Sequence, residues 1–165
     1  RLGEELEGWT VRLIGDGDLK EGLVADLEAA GVTAELPGWV PADEMPRQWA
    51  EARIAVVPSK RARSGDAEGL PLVCIEAVLS GCALAATRHA GITECVRDGE
   101  TGYLVDEGDE AGLADRLARM LTDKARTAAM GEAGREFALS DFNLQKQSRK
   151  LEGYLLDLAE KAGTV

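Results

Sequence analysis

Residues 54–86, IAVVPSKRARSGDAEGLPLVCIEAVLSGCALAA, contain the pattern that decides the fold. The apolar run at its start is typical of a strand that is buried on both faces, as in a parallel sheet. The stretch predicts a strand, a polar loop, a helix and a second strand at 54–57, 60–68, 71–80 and 83–86. This order predicts a parallel β-α-β unit with a right-handed connection.

The flanking sequence continues the alternation of strands and helices. Upstream, the patterns predict strands at 10–14 and 32–36 and helices at 18–30 and 42–52. Downstream, they predict a strand at 101–105 and helices at 110–121, 123–138 and 141–161, the last with Ser140 as its N-cap. We therefore expect an α/β fold, a Rossmann-like parallel sheet with helices on both faces, followed by a helical part over about 109–161.

Composition limits the classes of function. The 165 residues carry a formal net charge of −11, and 45% of them are hydrophobic, which fits one globular domain. The negative charge disfavours a nucleic-acid partner and an anionic membrane surface. No apolar run is long enough to cross a membrane, and the single histidine disfavours a His-rich metal site. The cysteines, Cys74, Cys82 and Cys95, lack CxxC spacing and are expected to be reduced thiols.

Ligands of open α/β sheets bind at the carboxyl ends of the strands, so the loops that follow strands are the candidate sites. The first such loop contains Gly15 and Gly17. It is not a dinucleotide fingerprint, because Lys20 stands where GxGxxG requires a glycine. A plain glycine turn and a turn that lines a ligand cleft both remain open.

The loop from Glu68 to Glu76 gives the strongest signal. Gly69 permits close approach of a ligand, and Pro71 suits the first position of a helix. The amides at that helix start could receive a phosphate. Glu76 stands in a helix that is otherwise almost wholly apolar, so we expect it to be buried and to need a partner. Either the two glutamates flank a bound diphosphate, or Glu68 complements the helix dipole while Glu76 pairs with an internal arginine.

These segments together resemble a known family. Glu68 and Glu76 form an E-x7-E pair within EGLPLVCIEA, preceded by VRLIGDG, LPGWVP and IAVVPS and followed by AGITE and DGETGYLV. In this order, the set is similar to the C-terminal, nucleotide-sugar-binding domain of the retaining GT-B glycosyltransferases of family 4. The likeness runs from about Val11 to the end of the chain, and it implies that residues 1–165 are one donor-binding domain, one half of a GT-B enzyme.

The resemblance implies a role for each matching residue. Glu76 would hydrogen-bond the ribose hydroxyls, and Glu68, the candidate catalytic residue, would contact hydroxyls of the donor sugar. Backbone amides around Pro71 would hold the diphosphate, and two further loops would line the cleft and pack on the base. These remaining donor-binding residues are Gly69, Leu70 and Leu72 for the diphosphate, Gly15 and Gly17 for the cleft, and Gly38, Trp39 and Val40 for the base.

The resemblance also implies parts that this sequence does not contain. The basic residues that neutralise the diphosphate would precede Arg1, as would the acceptor-binding N-terminal domain, so the domain is expected to be incomplete at its N-terminus. Two positions depart from the family pattern, since Ala90 and Thr93 stand where glycine and proline are usual. The C-terminal helix would cross back toward the missing domain, which would leave part of its apolar face exposed here.

The implied activity is transfer of a sugar, with retention, from a nucleoside-diphosphate sugar to an unknown acceptor. We expect no metal and no cofactor beyond the nucleotide-sugar substrate, although Asp16 and Asp18 stand in DxD spacing within the first glycine turn. The implied location is cytoplasmic, with contact to the inner membrane through the missing domain. An epimerase of the same architecture and a non-catalytic nucleotide-sugar-binding module are the alternatives, and this chain alone is expected to be inactive.

Two smaller features complete the set of candidates. Lys60, Arg61 and Arg63 place three positive charges in four residues at the end of a predicted strand. They either form a solvated loop or steer an anionic substrate toward the cleft. His89 follows another strand and is either a satisfied loop histidine or a ligand contact. We expect Trp9 and Trp49 to pack in or beside the core.

Overall fold

The computed structural model describes residue 2, residues 4–61 and residues 69–163. Its five strands are β1 Val11–Ile14, β2 Ala34–Gly38, β3 Ile54–Val57, β4 Ala83–Thr87 and β5 Gly102–Val105. Its helices are α1 Lys20–Ala29, α2 Met45–Glu51, α3 Leu72–Leu79, α4 Ile92–Cys95, α5 Glu110–Thr122, α6 Lys124–Asp141 and α7 Leu144–Ala162. The predicted α/β fold with parallel strands is confirmed.

The strands form two parallel sheets, whereas the sequence pattern predicted one. β1 pairs only with β2, and the second sheet has the order β3-β4-β5. Within each sheet the pairing is parallel, with Ile54 opposite Ala83 and Leu84 opposite Gly102. Thus β1 and β3 are edge strands among the described residues. Apolar periodicity specifies that a segment is a strand but not which strand it pairs with, which explains the error.

The core surrounds β4. All five residues of this strand are buried, and most of them are alanine, which allows helices to approach both faces closely. Cys74, Ala77 and Val78 of α3 pack on one face, and Met120 and Met130 pack near Ala83 and Ala85 on the other. The approach of α6 requires glycine, because a Cβ atom at Gly131 would lie 2.1 Å from the carbonyl oxygen of Gly81.

Three details of the helices differ from the prediction. Pro71 is the N-cap of α3 and has extended backbone dihedrals, so it precedes the first helical residue. Ser140 lies inside α6, and the N-cap of α7 is Asn143, whose side chain accepts a hydrogen bond from the Lys146 amide. The short helix α4 was not predicted, because four residues do not show a helical period.

The C-terminal helix α7 has no buried residue. Its apolar stripe is exposed over the full length of the helix, with 59% exposure at Leu151, 58% at Leu155 and 62% at Leu158. This agrees with the expectation that part of the stripe lies open in this chain. Across the part of the chain that the structure describes, no helix has the length and apolar character needed to span a membrane.

Candidate functional site

The carboxyl ends of β3, β4 and β5 are tied together by one carboxylate. Glu107, which follows β5, accepts a hydrogen bond from the backbone amide of Arg61 at 2.9 Å through Oε2. Its other oxygen, Oε1, lies 2.6 Å from Nδ1 of His89, which is only 4% exposed. The Arg61 amide and then His89 lower the pKa of the Glu107 carboxyl. His89 is therefore a buried histidine with a partner for Nδ1, which is not the solvent-exposed loop histidine that the sequence also allowed.

The segment after β4 also reaches the residues that precede α3. The amide of Gly91 donates to the carbonyl oxygen of Gly69 at 2.8 Å. A Cβ atom at Gly91 would lie 2.8 Å from Cβ of Leu70, so the two loops are in close contact. Between them, Ala90 has a φ of 43°, in the left-handed region that costs a residue with a Cβ atom about 1 kcal/mol or more. The family resemblance implies glycine at this position, whereas at Thr93, the other departure, it implies proline.

Glu76 lies in the second turn of α3, about one and a half turns after Pro71, and is exposed. The indole Nε1 of Trp49 donates to Oε2 of Glu76 at 3.2 Å. The expectation of a buried carboxylate was therefore wrong, and the partner that the described residues supply is a tryptophan instead of an arginine. The helix buries only the face with Cys74, Ala77 and Val78, while Leu72 is 71% exposed.

The predicted diphosphate and base loops lie at strand ends, as expected, but in different sheets. Gly69, Leu70 and Leu72 connect the end of β3 to α3. Gly15 follows β1 and its amide donates to the carbonyl oxygen of Gly38, at the end of β2, at 2.8 Å. Gly17 continues the first of these loops. Trp39, which is 72% exposed, and Val40 follow Gly38 directly.

The charged candidates are divided between described and undescribed residues. Lys60 and Arg61 are exposed where the chain leaves β3. Arg63 and Glu68 lie outside the described residues. No group of three or more His, Cys, Asp or Glu side chains within residues 4–61 and 69–163 could hold a metal ion. Cys74, Cys82 and Cys95 are all buried, and burial raises the pKa of both Cys82 and Cys95 to about 11.

Comparison with known proteins gives the family. Residues 1–123 match the family described as glycosyl transferases group 1. The chain belongs to this family. One relative is the GDP-mannose-dependent alpha-(1-6)-phosphatidylinositol monomannoside mannosyltransferase of Mycolicibacterium smegmatis, which is 36% identical over 113 residues. That match covers 68% of this chain and 30% of the relative, so this group 1 chain spans about a third of the mannosyltransferase.

Solved structures agree with the GT-B architecture of this family. The C-terminal domain of the group 1 protein LpcC from Francisella tularensis is 25% identical, with a TM-score of 0.74 over 87% of this chain and 76% of that domain. Anabaena HepE in complex with UDP has a TM-score of 0.76 at 23% identity, over 90% of this chain and 41% of its own. The likeness to HepE supports the fold of this group 1 glycosyltransferase chain.

Two residues of this site were not identified from the sequence. Glu107 was not singled out at all, and Trp49 was assigned to packing only. Trp49 precedes Glu76 by 27 residues, and Glu107 follows Arg61 by 46, so no local spacing connects either pair. The short apolar strands that precede Arg61 and Glu107 were the one available signal, because carboxyl ends of neighbouring parallel strands meet at one edge.

Proposed function

We propose that this chain is the donor-binding part of a glycosyltransferase that moves a sugar, with retention, from a nucleoside-diphosphate sugar to an acceptor held elsewhere in the enzyme. Membership of the group 1 family supports the activity. The relative named for GDP-mannose and the structure that contains UDP support a nucleotide donor. The acceptor-binding part lies outside this chain in the proposal.

The observation that carries the proposal is the arrangement of Glu76 in the second turn of α3. Trp49 holds one carboxylate oxygen, Oε2, and no hydrogen bond among the described residues reaches the other. A ribose presents two neighbouring hydroxyl groups, which are donors that a free carboxylate oxygen accepts well. We assign Glu76 to the ribose, with Trp49 as the group that orients it.

The helix start supplies the complementary site for the diphosphate. The first amides of a helix have no partner within the helix and point outward, and the helix dipole favours an anion there. The first backbone hydrogen bond at the start of α3 runs from the Cys74 amide to the Pro71 carbonyl oxygen at 3.0 Å. The amides of Leu72 and its neighbours precede it. Exposed Trp39 offers an aromatic face to the base, and Glu68 is assigned to the sugar.

A titration of the ¹⁵N-labelled chain with UDP and GDP tests the donor site. We expect weak binding, with chemical-shift changes centred on residues 69–76. Glu76→Ala should weaken it about tenfold or more, the equivalent of one charge-assisted hydrogen bond. Glu136→Ala, which removes an exposed glutamate from α6, is the matched control and should bind as the parent does. Shift changes elsewhere that are indifferent to Glu76→Ala would contradict the assignment.

Transfer itself is tested on the full-length enzyme. The proposal expects transfer in the presence of EDTA, and a larger loss of transfer than of diphosphate affinity for Glu68→Ala, because that residue is assigned to the sugar. Equal losses would give Glu68 a structural role. Loss of transfer on chelation would overturn the metal-free reaction. Turnover of a nucleotide sugar to its epimer without any acceptor would replace the transferase by the epimerase.

The basic residues at the exit of β3 extend the proposal to steering. A local positive field in a chain of net charge −11 would attract an anionic substrate, and salt would screen it. Changing Lys60, Arg61 and Arg63 together to serine should lower kcat/KM of the full-length enzyme at low salt, with less difference at high salt. Identical salt responses of parent and variant would leave these residues as a solvated loop.

A further inference from the structure

Two residues beyond the assigned donor contacts control the position of the loop that leads to α3. This inference rests on the proposed donor site. We infer that His89 and Glu107 are positioning residues for the nucleotide donor, because their pairing fixes the chain at Arg61 while the adjacent Gly91 fixes it at Gly69. The amides at the start of α3 would then be held in one place before a ligand arrives.

The hydrogen bonds on both sides of the loop come from the residues that follow β4 and β5. The hydroxyl of Thr87 donates to the carbonyl oxygen of Ser59. His89 holds Glu107 at 2.6 Å, and Glu107 accepts from the Arg61 amide at 2.9 Å. Gly91 donates to the Gly69 carbonyl at 2.8 Å. Alternate residues of the segment 87–91 thus reach both ends of the β3–α3 connection.

Burial restricts the orientation of the side chains that make the His89–Glu107–Arg61 hydrogen bonds. His89 is 4% exposed, so its ring cannot turn freely toward solvent, and Glu107 is 36% exposed in its side chain. A backbone amide held by a carboxylate is a charge-assisted hydrogen bond, which is shorter and stronger than a neutral one. The left-handed Ala90 lies between His89 and Gly91, and such a conformation persists where the surrounding contacts determine it.

The His89–Glu107 pair should affect nucleotide binding because it holds the binding groups in place before the ligand arrives. A ligand that meets amides already in place does not have to order the loop, and affinity rises by the ordering cost that is avoided. Loss of the Glu107 carboxylate would free Arg61 and let the connection move. All the groups assigned to the donor would still be present, but their positions would be less well fixed.

Glu107→Ala is the direct test, with affinity for UDP and GDP measured by the same NMR titration, at a temperature where every variant is folded. We expect Kd to rise about fivefold, the equivalent of one net hydrogen bond. Hydrogen exchange at the Arg61 amide should speed up in parallel. Asp106→Asn is the matched control, because it removes a negative charge from the neighbouring residue and should leave Kd within twofold of the parent.

Variants that keep the hydrogen bonds distinguish an effect of loop position on Kd from an effect of charge or of overall stability. Glu107→Gln keeps an amide oxygen for Arg61 and a second polar atom for His89, so we expect Kd within twofold of the parent. His89→Asn places an amide near the position of Nδ1 and should behave likewise, whereas His89→Leu should match Glu107→Ala. Because the Glu107 side chain is partly exposed, its variants remain informative if the buried His89 variants fail to fold.

Several results would overturn the inference. Unchanged Kd in Glu107→Ala despite faster exchange at Arg61 would make the pair purely structural. Equal weakening in Asp106→Asn, or no rescue by Glu107→Gln, would assign the effect to negative charge instead of loop position. Failure of the parent to bind either nucleotide would overturn the proposed function, whereas binding by the parent at residues 69–76 supports that function whatever Glu107 does.

Discussion

The two sheets of this chain are stabilised in different ways. The β3-β4-β5 sheet and its helices contain every buried hydrophobic residue of the described chain, from Ala55 to Ala138. Before Ala55, the one buried residue among those described is Gly38. The β1-β2 sheet instead carries an exposed polar network, in which Arg12 binds Glu35, Gln48 and Glu51.

This difference indicates which part of the proposed donor site is rigid. The start of α3 and the His89–Glu107 pair rest on the packed sheet, where side chains have few alternative positions. The loops with Gly15 and Trp39 belong to the sheet that lacks a buried core. Local opening is easier where few apolar contacts must be broken. The diphosphate end of the site is therefore expected to be better ordered than the base end.

The contrast between the two sheets predicts the largest difference in the free energy of unfolding when a strand leucine is truncated to alanine. Leu84 in β4 is fully buried, whereas Leu36 in β2 is 36% exposed. Leu84→Ala should lower the free energy of unfolding by about 2–5 kcal/mol, since it removes buried methyl groups and leaves a cavity. Leu36→Ala should cost about 1 kcal/mol or less. Urea unfolding of both variants measures this, and similar losses would contradict the assignment of the core to one sheet.

Replacing glycine by alanine should change the free energy of unfolding by a smaller amount, and the sign of the change should differ between the two parts of the chain. A Cβ atom at Gly102 in β5 would lie 2.2 Å from the carbonyl oxygen of Leu84, so Gly102→Ala should cost about 1–3 kcal/mol. At Gly22 in α1 nothing lies within 4 Å of an added Cβ atom. Gly22→Ala should stabilise by about 0.5–1 kcal/mol through helix propensity. A stabilising Gly102→Ala, read from thermal unfolding, would show that β4 and β5 are not in tight contact.

The smallest effect is expected for the polar network of the β1-β2 sheet. The hydrogen bonds that Arg12 donates to Glu51 and Glu35 raise the pKa of Arg12, so its charged form is favoured in the folded chain. Exposed ion pairs contribute little and are screened by salt. Arg12→Met should lower Tm slightly, and its difference from the parent should shrink in 1 M NaCl, while the loss for Leu84→Ala should persist. A salt-independent Arg12→Met effect would indicate that the network is not electrostatic.

Sequence patterns predicted the strands and helices well where apolar runs are long enough to show a period. Ile54–Val57 appears as expected, and the last helix differs by three residues at its start because Asn143 is the cap in place of Ser140. Loop positions were also predictable, since Trp39 stands directly after a strand and Gly69 stands just before a helix. The exposure of Glu76 was not, because an apolar helix is buried only where another element covers it.

The sequence by itself determined the family, through the E-x7-E spacing and its neighbouring segments, and it determined the parallel α/β class, because short apolar runs alternate with helical periods. Tertiary structure alone decided which strands pair, that Trp49 holds Glu76, and that His89 and Glu107 meet beside Arg61. These side-chain contacts join residues that are far apart in the sequence: 27 positions for Trp49 and Glu76, 46 for Arg61 and Glu107, and 18 for His89 and Glu107. Local propensity carries no information on such pairs, because their proximity is set by how the strands align within a sheet.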